Sequence, residues 1–337
     1  MTGSVTEALS VPLSILDLAI IGKGETARDA LLASVELAQR AEARGYRRVW
    51  YAEHHNMSVI ASSATSVLIA HVAANTTSIR LGSGGIMLPN HSPLVIAEQF
   101  GTLEALHPGR IDLGLGRAPG SDHNTMRALR RNDMAAERFP QDVLELQAFL
   151  AGKTRIPGVD ATPGKGANVP LYILGSSLFG AQLAAALGLP FGFASHFAPD
   201  ALGDAVEIYR RDFTPSEQLD RPHVIAAVSV IAADSDEEAQ RQLLAVRRDR
   251  VAWTVGRGLE LSHERADAIL SSPQGAQIVH HMKYTAVGDP PAVRDQLRAF
   301  ADVADADELI VVHGARDIED RLRSVDLVAD VSAMVPA

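Results

Sequence analysis

The chain has 337 residues and contains no cysteine. Without thiols it can form no disulfide bond, no cysteine-bound zinc centre and no iron–sulfur cluster, and it cannot use a thiolate as a nucleophile. Basic residues are also in the minority, with 31 Lys and Arg against 41 Asp and Glu and a formal net charge of −10. Because a nucleic-acid-binding surface needs clustered positive charge, we expect no nucleic-acid partner.

Long apolar runs are missing as well. No segment approaches the roughly 18 consecutive apolar residues that a membrane span requires. Residues 1–10 are polar and lack the basic and apolar regions of a signal peptide. We therefore expect no membrane association and a cytoplasmic location.

The composition that remains is that of a folded protein, with 47% apolar and 21% charged residues. Length alone would allow two domains, but an α/β barrel with insertions reaches this size as one domain. Strand-like and helix-like segments alternate along the chain. The strand-like segments cover residues 13–21, 48–52, 79–86, 111–115, 171–174, 191–195, 223–233 and 309–312.

This alternation predicts an α/β fold, a (β/α)8 TIM barrel with insertions, as a single domain over residues 1–337. A doubly wound open sheet is the alternative. Two segments interrupt the pattern and are predicted to be insertions. Residues 152–169 are rich in Gly, Pro and Lys, and residues 254–285 show no clear strand.

Polar residues follow the second predicted strand, where Glu53 precedes His54 and His55. The carboxyl ends of parallel strands share one face of such a fold, so a site is expected there. Adjacent strand residues point to opposite sides, so only one of the two histidines can face the barrel mouth. A histidine there could exchange a proton near neutral pH. A pair of structural histidines and a zinc site are the alternative interpretations.

Three further strand ends suggest a bound ligand. Gly84-Gly85 is typical of a bend, or of a flat ring pressed against the backbone. Arg117 is a cation suited to a phosphate, or to a surface salt bridge. The segment Gly175-Ser176-Ser177 opens a helix, where N–H groups and hydroxyls form an anion site or an ordinary N-cap. Because the fourth and fifth strands of a barrel are neighbours, Arg117 and Ser176 could bind one phosphate together.

His196 and His313 end the sixth and eighth predicted strands. Either could line the same mouth, although lone histidines are usually structural. Together with His54 they would be the ligands of a metal-dependent barrel hydrolase. That interpretation is weakened because the first strand lacks the His-x-His pair that such barrels commonly carry.

Several ordered segments resemble the bacterial luciferase-like monooxygenase family. They are Val49–Asn56, Gly84–Pro93, Ala97–Phe100, His107–Arg117, Leu174–Ser177 and Val287–Pro290. The resemblance spans roughly residues 12–315 and implies a TIM barrel with a flavin at the strand ends. By this resemblance, His54 is the functional histidine and Gly84-Gly85 lies beneath the flavin ring. Arg117 and Ser176 are implied to bind its phosphate.

The resemblance also implies the chemistry. The family pattern is a monooxygenase that uses reduced FMN (FMNH2) and O2 to oxidise a small or medium organic substrate, here one of carbonyl type. A separate NAD(P)H–flavin reductase would supply the reduced flavin, and family analogy suggests a homodimer. Gly175 stands where some luciferases carry a glutamate, which leaves light emission open.

Two alternatives lie within the same family. One is an F420-dependent oxidoreductase, and the other is a flavin-binding protein without catalysis. Arg117 beside the Gly-Ser-Ser segment fits FMN better than F420. The presence of His54 argues against a non-catalytic protein.

Overall fold

The structure is a computed structural model that describes residues 9, 11–118, 122–131, 133–154, 156–256 and 261–332. Its strands are β1 (Leu13–Asp17), β2 (Arg48–Tyr51), β3 (Arg80–Met87), β4 (Ile111–Gly116), β5 (Leu171–Gly175), β6 (Phe191–Phe193), β7 (Val224–Ala232), β8 (Thr285–Gly288) and β9 (Glu308–His313). Its helices are α1 (Ala27–Ala43), α2 (Thr65–Ala73), α3 (Pro93–Leu106), α4 (His123–Ala128), α5 (Phe139–Leu150), α6 (Leu178–Leu187), α7 (Leu202–Asp212), α8 (Asp236–Gly256), α9 (His263–Leu270), α10 (Pro273–His280), α11 (Pro290–Val303) and α12 (Ile318–Val331).

Eight of the strands close into a parallel barrel. β1 pairs with both β2 and β9, and β7 pairs with both β6 and β9. The ring is therefore β1 to β7 followed by β9. This confirms the predicted TIM barrel. The open doubly wound sheet is wrong, because an open sheet would leave unpaired edges where β6, β7, β9 and β1 are joined.

One strand lies outside the ring. β8 pairs only with residues 229–232 of β7. The predicted segment without a strand, residues 254–285, holds the end of α8, α9, α10 and the first residue of β8 in its described part. The eighth barrel strand is therefore the ninth strand of the chain. Sequence reasoning misses β8 because its four residues directly precede the Asp289-Pro290 helix start and look like a loop.

Local sequence signals explain where several helices begin and end. Thr26 and Asp29 form a capping box at the start of α1, and Asp289 accepts a hydrogen bond from the Ala292 N–H at the start of α11. Gly188 adopts a left-handed conformation, with φ of 62°, after α6. Residues 152–154 and 156–169 contain neither helix nor strand.

The barrel interior is filled by side chains and is not a pore. Trp50 is buried inside it with apolar residues of β1, β5, β7 and β9. At the N-terminal end, the Arg48 guanidinium pairs with Asp112 at 2.8 Å and with Glu308 at 2.9 Å. The fully buried Glu308 stays ionised: burial alone would raise its pKa, but Arg48 and its hydrogen bonds lower it to about 2. With the interior filled, the C-terminal strand ends are where a ligand of such a barrel would bind.

None of the described helices is both long and apolar enough to cross a lipid bilayer.

Candidate functional site

The C-terminal end of β2 places His54 at the barrel mouth. Its backbone N–H donates to the carbonyl of Ser62 at 3.0 Å, which anchors the chain just beyond the strand. The side chain is half-buried, and its Nδ1 has no hydrogen-bond partner in the described chain. Burial lowers the pKa of His54, so the ring is neutral at pH 7. A neutral imidazole with a free nitrogen can accept a proton from a ligand or donate a proton to it.

The neighbouring Glu53 turns the other way and organises the loops around the site. Its buried carboxylate accepts hydrogen bonds from Nε2 of His55 at 2.9 Å, Nε2 of His91 at 2.8 Å and the Met87 N–H at 3.0 Å. Burial alone would raise the pKa of Glu53, but these hydrogen bonds outweigh it and lower the pKa to about 2. The carboxylate therefore ties the segment after β2 to the segment after β3.

The two adjacent histidines have different surroundings, as the sequence predicts, although for a different reason. β2 ends at Tyr51, so alternation along a strand does not orient either ring. His55 is instead held by Glu53, and this hydrogen bond raises its pKa. His54 makes no such contact and remains available. The catalytic role of His54 stays a prediction.

Of the other two predicted histidines, only His196 belongs to the mouth. Burial, with smaller contributions from Arg250 and His54, lowers the pKa of His196 to about 3. His313 is directed elsewhere, because its Nδ1 shares a hydrogen bond of 2.8 Å with Ser324 of α12 and its ring packs edge-on against Tyr46.

The expectation that His313 could line the mouth is therefore wrong: its ring packs outward, between the barrel and its helices. The three histidines of the hydrolase interpretation do not converge. Among the described residues, no group of three His, Asp or Glu side chains is arranged to hold a metal ion.

Gly84 and Gly85 lie in β3, and the peptide bond between them is cis. A Cβ on Gly84 would lie 2.5 Å from Leu16 Cδ1 and 3.0 Å from Trp50 Cβ, inside the barrel. A Cβ on Gly85 would lie 2.9 Å from the carbonyl oxygen of Gly114 on β4. Packing therefore requires both glycines, whether or not a ring lies above them. Their cofactor role stays a prediction.

Arg117 and the segment Gly175–Ser177 meet across neighbouring strand ends. The guanidinium carbon of Arg117 lies 4.1 Å from the ring centroid of Phe179, in the first turn of α6. Ser177 is the N-cap residue of α6, but its side chain makes no capping hydrogen bond. Ser176 and Ser177 are exposed, and Gly175 is half-buried.

This arrangement fits a phosphate group. An uncapped helix N-terminus offers backbone N–H donors, and the adjacent guanidinium supplies positive charge. Within the described chain, no carboxylate pairs with Arg117, so its guanidinium is available to a ligand there. A Cβ on Gly175 would find its nearest atom at 3.5 Å, which is ordinary van der Waals contact, so the backbone beside the helix start is not crowded.

Two features of the mouth are absent from the sequence-based account. His91 lies in the segment Gly84–Pro93 that resembles the family, but its hydrogen bond to Glu53 depends on how the loop after β3 folds. Arg250 lies on α8, in a run of several arginines where nothing in the sequence distinguishes one from another. Its position near His196 arises only from tertiary packing.

Comparison with known proteins identifies close relatives. Residues 13–306 match the family described as luciferase-like monooxygenase. A protein of Escherichia coli K12 named luciferase-like monooxygenase is 48% identical, and the alignment covers 96% of this chain and 97% of that protein. The N-acetyl-S-alkylcysteine monooxygenase of Bacillus subtilis is 34% identical, with 95% and 98% covered.

Solved structures agree in fold. The apo form of MsnO8 is 37% identical and superimposes with a TM-score of 0.88, covering 97% of this chain and all (100%) of that one. The FMN complex of the oxygenating component of 3,6-diketocamphane monooxygenase of Pseudomonas putida gives a TM-score of 0.70 at 18% identity, covering 96% of this chain and 98% of that one. An F420-dependent secondary alcohol dehydrogenase gives 0.68 at 14% identity, covering 95% and 98%. The last two likenesses show the fold alone.

Proposed function

This chain belongs to the luciferase-like monooxygenase family, and on that premise we propose that it uses reduced FMN and O2 to oxidise a small or medium organic substrate. The proposal includes a carbonyl-type reacting group in the substrate and a separate NAD(P)H–flavin reductase that supplies the reduced flavin. It also includes assembly as a homodimer. The names of the relatives cover different substrates, so the substrate is proposed by class.

The observation that carries the proposal is the meeting of Arg117 with the start of α6. In the described part of the chain, the Arg117 guanidinium has no carboxylate partner. It lies against Phe179, beside a helix N-terminus that the N-cap residue Ser177 does not cap with its side chain. These groups would hold the phosphate of FMN, with Ser176 and Ser177 as further donors. Gly84-Gly85 and Gly175 would border the ring system. When bound, FMN would supply the chemistry that activates O2.

The protein's own part is proton handling and the exclusion of water. His54 is half-buried and neutral at pH 7, and its Nδ1 has no partner among the described residues, so it can move a proton at that atom. Glu53 fixes the loop that presents it, through His55 and His91. The apolar interior beneath the mouth keeps water from one side of the site.

The experiment that tests the proposal combines binding with isotope incorporation. The purified protein is titrated with FMN and with F420, then supplied with reduced FMN, isotopically labelled dioxygen and a panel of aldehydes, ketones and thioethers. We expect FMN to bind and one labelled oxygen atom to enter a product.

The other outcomes separate the rival functions. Binding of F420 without FMN would favour the F420-dependent oxidoreductase. Binding of FMN without label in any product, together with no substrate-stimulated oxygen uptake, would favour a flavin-binding protein without catalysis.

A further inference from the structure

The C-terminal half of α8 lies across the barrel mouth. Asp249 pairs at 3.3 Å with Arg316, which follows β9. On the neighbouring α10, Nε2 of His280 pairs with Asp200 at 2.6 Å, in the loop that follows β6. Val251 packs with α9 and α10 in a small apolar cluster. These contacts place the turn of α8 that carries Arg250 above the C-terminal strand ends.

Arg250 is a half-buried cation that has no anionic partner among the described residues. Burial lowers its pKa, and no acidic neighbour offsets that effect. No carboxylate in the described part of the chain pairs with it, and its one defined contact is with the ring of Trp253, whose centroid lies 5.7 Å from the guanidinium carbon. Elsewhere on the same helix, Arg241 pairs with Glu238 and Arg248 pairs with Asp267.

Arg250 differs from the other arginines of α8 in its position beside His196, where a half-buried guanidinium can receive an anionic ligand. Removing a cation from water is costly unless an opposite charge or hydrogen-bond acceptors replace the water. The chain as a whole carries a net charge of −10 and does not attract anions in general. A local cation at the mouth is therefore what an anionic ligand would need in order to bind there.

The surroundings of Arg250 define the kind of anion. Arg250 lies close enough to His196 to lower its pKa, and both His196 and His54 are neutral at pH 7. Arg250 therefore supplies the positive charge in this group of three. Trp253 is 43% exposed beside it and offers an apolar surface. A planar guanidinium pairs best with a planar two-oxygen anion, which is a carboxylate.

This position is separate from the phosphate position. Arg117 and α6 follow β4 and β5, whereas Arg250 reaches the mouth from α8 beside the residue after β6. We propose that Arg250 binds a carboxylate group of the substrate, with Trp253 in contact with the apolar part of the same molecule. This inference rests on the proposed function, because it takes the barrel mouth to be the substrate pocket.

The test is a binding measurement on the protein without cofactor. The chain has 2 tryptophans, and Trp50 is buried inside the barrel, so a fluorescence change on ligand addition reports mainly Trp253. The probes are hexanoate and its neutral analogue hexanamide. The wild-type protein should bind hexanoate more tightly than hexanamide.

Variants then identify the group responsible. Arg250→Gln should weaken hexanoate binding by about 10-fold or more, as expected for a lost charge-assisted hydrogen bond, and leave hexanamide binding unchanged. Arg250→Lys should retain part of the preference. Arg247→Gln is the matched control, because Arg247 lies on the same helix in a groove with Asp267 and should not affect either probe.

Three results would overturn the inference: no hexanoate binding by the wild-type protein, equal binding by wild type and Arg250→Gln, or a loss confined to FMN binding in Arg250→Gln. FMN titration of the same proteins separates this inference from the proposed function. If FMN binds but hexanoate affinity is the same in wild type and Arg250→Gln, only the carboxylate site is wrong. If hexanoate depends on Arg250 but FMN does not bind the wild type, the proposed function fails while the carboxylate site stands.

Discussion

Nε2 of His55 donates a hydrogen bond of 2.9 Å to Oε1 of Glu53, two residues earlier in the chain. This contact gives two adjacent histidines different tasks. His55 is held by a carboxylate that stays ionised, whereas His54 keeps a buried Nδ1 without a partner in the described chain. The consequences for catalysis and for stability can be measured separately.

His54→Ala should reduce turnover by about 10²–10⁴-fold, the usual effect of losing a general acid or base. FMN affinity and thermal stability should change little, because the His54 side chain makes no hydrogen bond to any other residue that the structure describes. In the parent protein, the lowered pKa predicts a constant rate near neutrality and a decline only below the ordinary histidine value of 6.5. The measurement is substrate-dependent oxygen uptake with reduced FMN across pH.

His55→Ala is the matched control. It should lower the melting temperature, since it removes a hydrogen bond to a buried carboxylate, and should reduce turnover far less than His54→Ala. Equal kinetic losses in the two variants, or full activity of His54→Ala, would show that the two rings do not divide the roles in this way.

Glu53→Gln should destabilise the protein by about 1.5–3 kcal/mol near pH 5–6, because charge-assisted hydrogen bonds to the carboxylate are lost. The folded pKa of Glu53 is lowered from 4.5 to about 2, so its contribution is present above pH 4.5 and disappears as the pH falls towards 2. The pKa of His55 is raised above 6.5, so the charged pair weakens as the pH rises through that raised value.

The difference in melting temperature between wild type and Glu53→Gln should therefore be largest between pH 4.5 and 6.5. It should narrow on both sides of this window. A difference that is the same at every pH would mean that the charge on Glu53 contributes nothing to stability.

Gly85→Ala should destabilise the protein by about 1–3 kcal/mol, the range for overpacking a filled interior. Its Cβ would lie 2.9 Å from the carbonyl oxygen of Gly114, which is backbone and cannot move aside easily. Gly175→Ala is the control, since its Cβ would find the nearest atom at 3.5 Å. Denaturant unfolding of the two variants checks this, and equal stability of both would argue against backbone crowding at β3.

Much of the fold follows from the sequence because barrel strands and their helices are local patterns. The alternation of segments and the cap at Asp289 are visible without any tertiary information. β8 cannot be predicted in this way, because its four residues beside a helix start are too few to show an alternating pattern. They form a strand only through their pairing with β7.

The candidate site can likewise be predicted from the sequence only in part. The strand ends that carry His54, Arg117 and Ser176 can be located from the sequence, since strand ends share one face of the barrel. What each side chain contacts cannot. His313 ends a strand as His196 does, yet it packs outward against Ser324. This difference cannot be predicted from the sequence, because the direction of a ring at a strand end depends on the helices packed around it.

The central claim is that Arg117 and the start of α6 bind the phosphate of FMN. A comparison of the affinities for FMN and for riboflavin tests this claim most directly. Riboflavin lacks the phosphate, so wild type should bind FMN more tightly. Arg117→Ala should weaken FMN binding by about 10–100-fold, corresponding to about 1.5–3 kcal/mol for a charged hydrogen bond, and leave riboflavin binding unchanged. Unchanged FMN affinity in Arg117→Ala, or equal losses for FMN and riboflavin, would contradict the account.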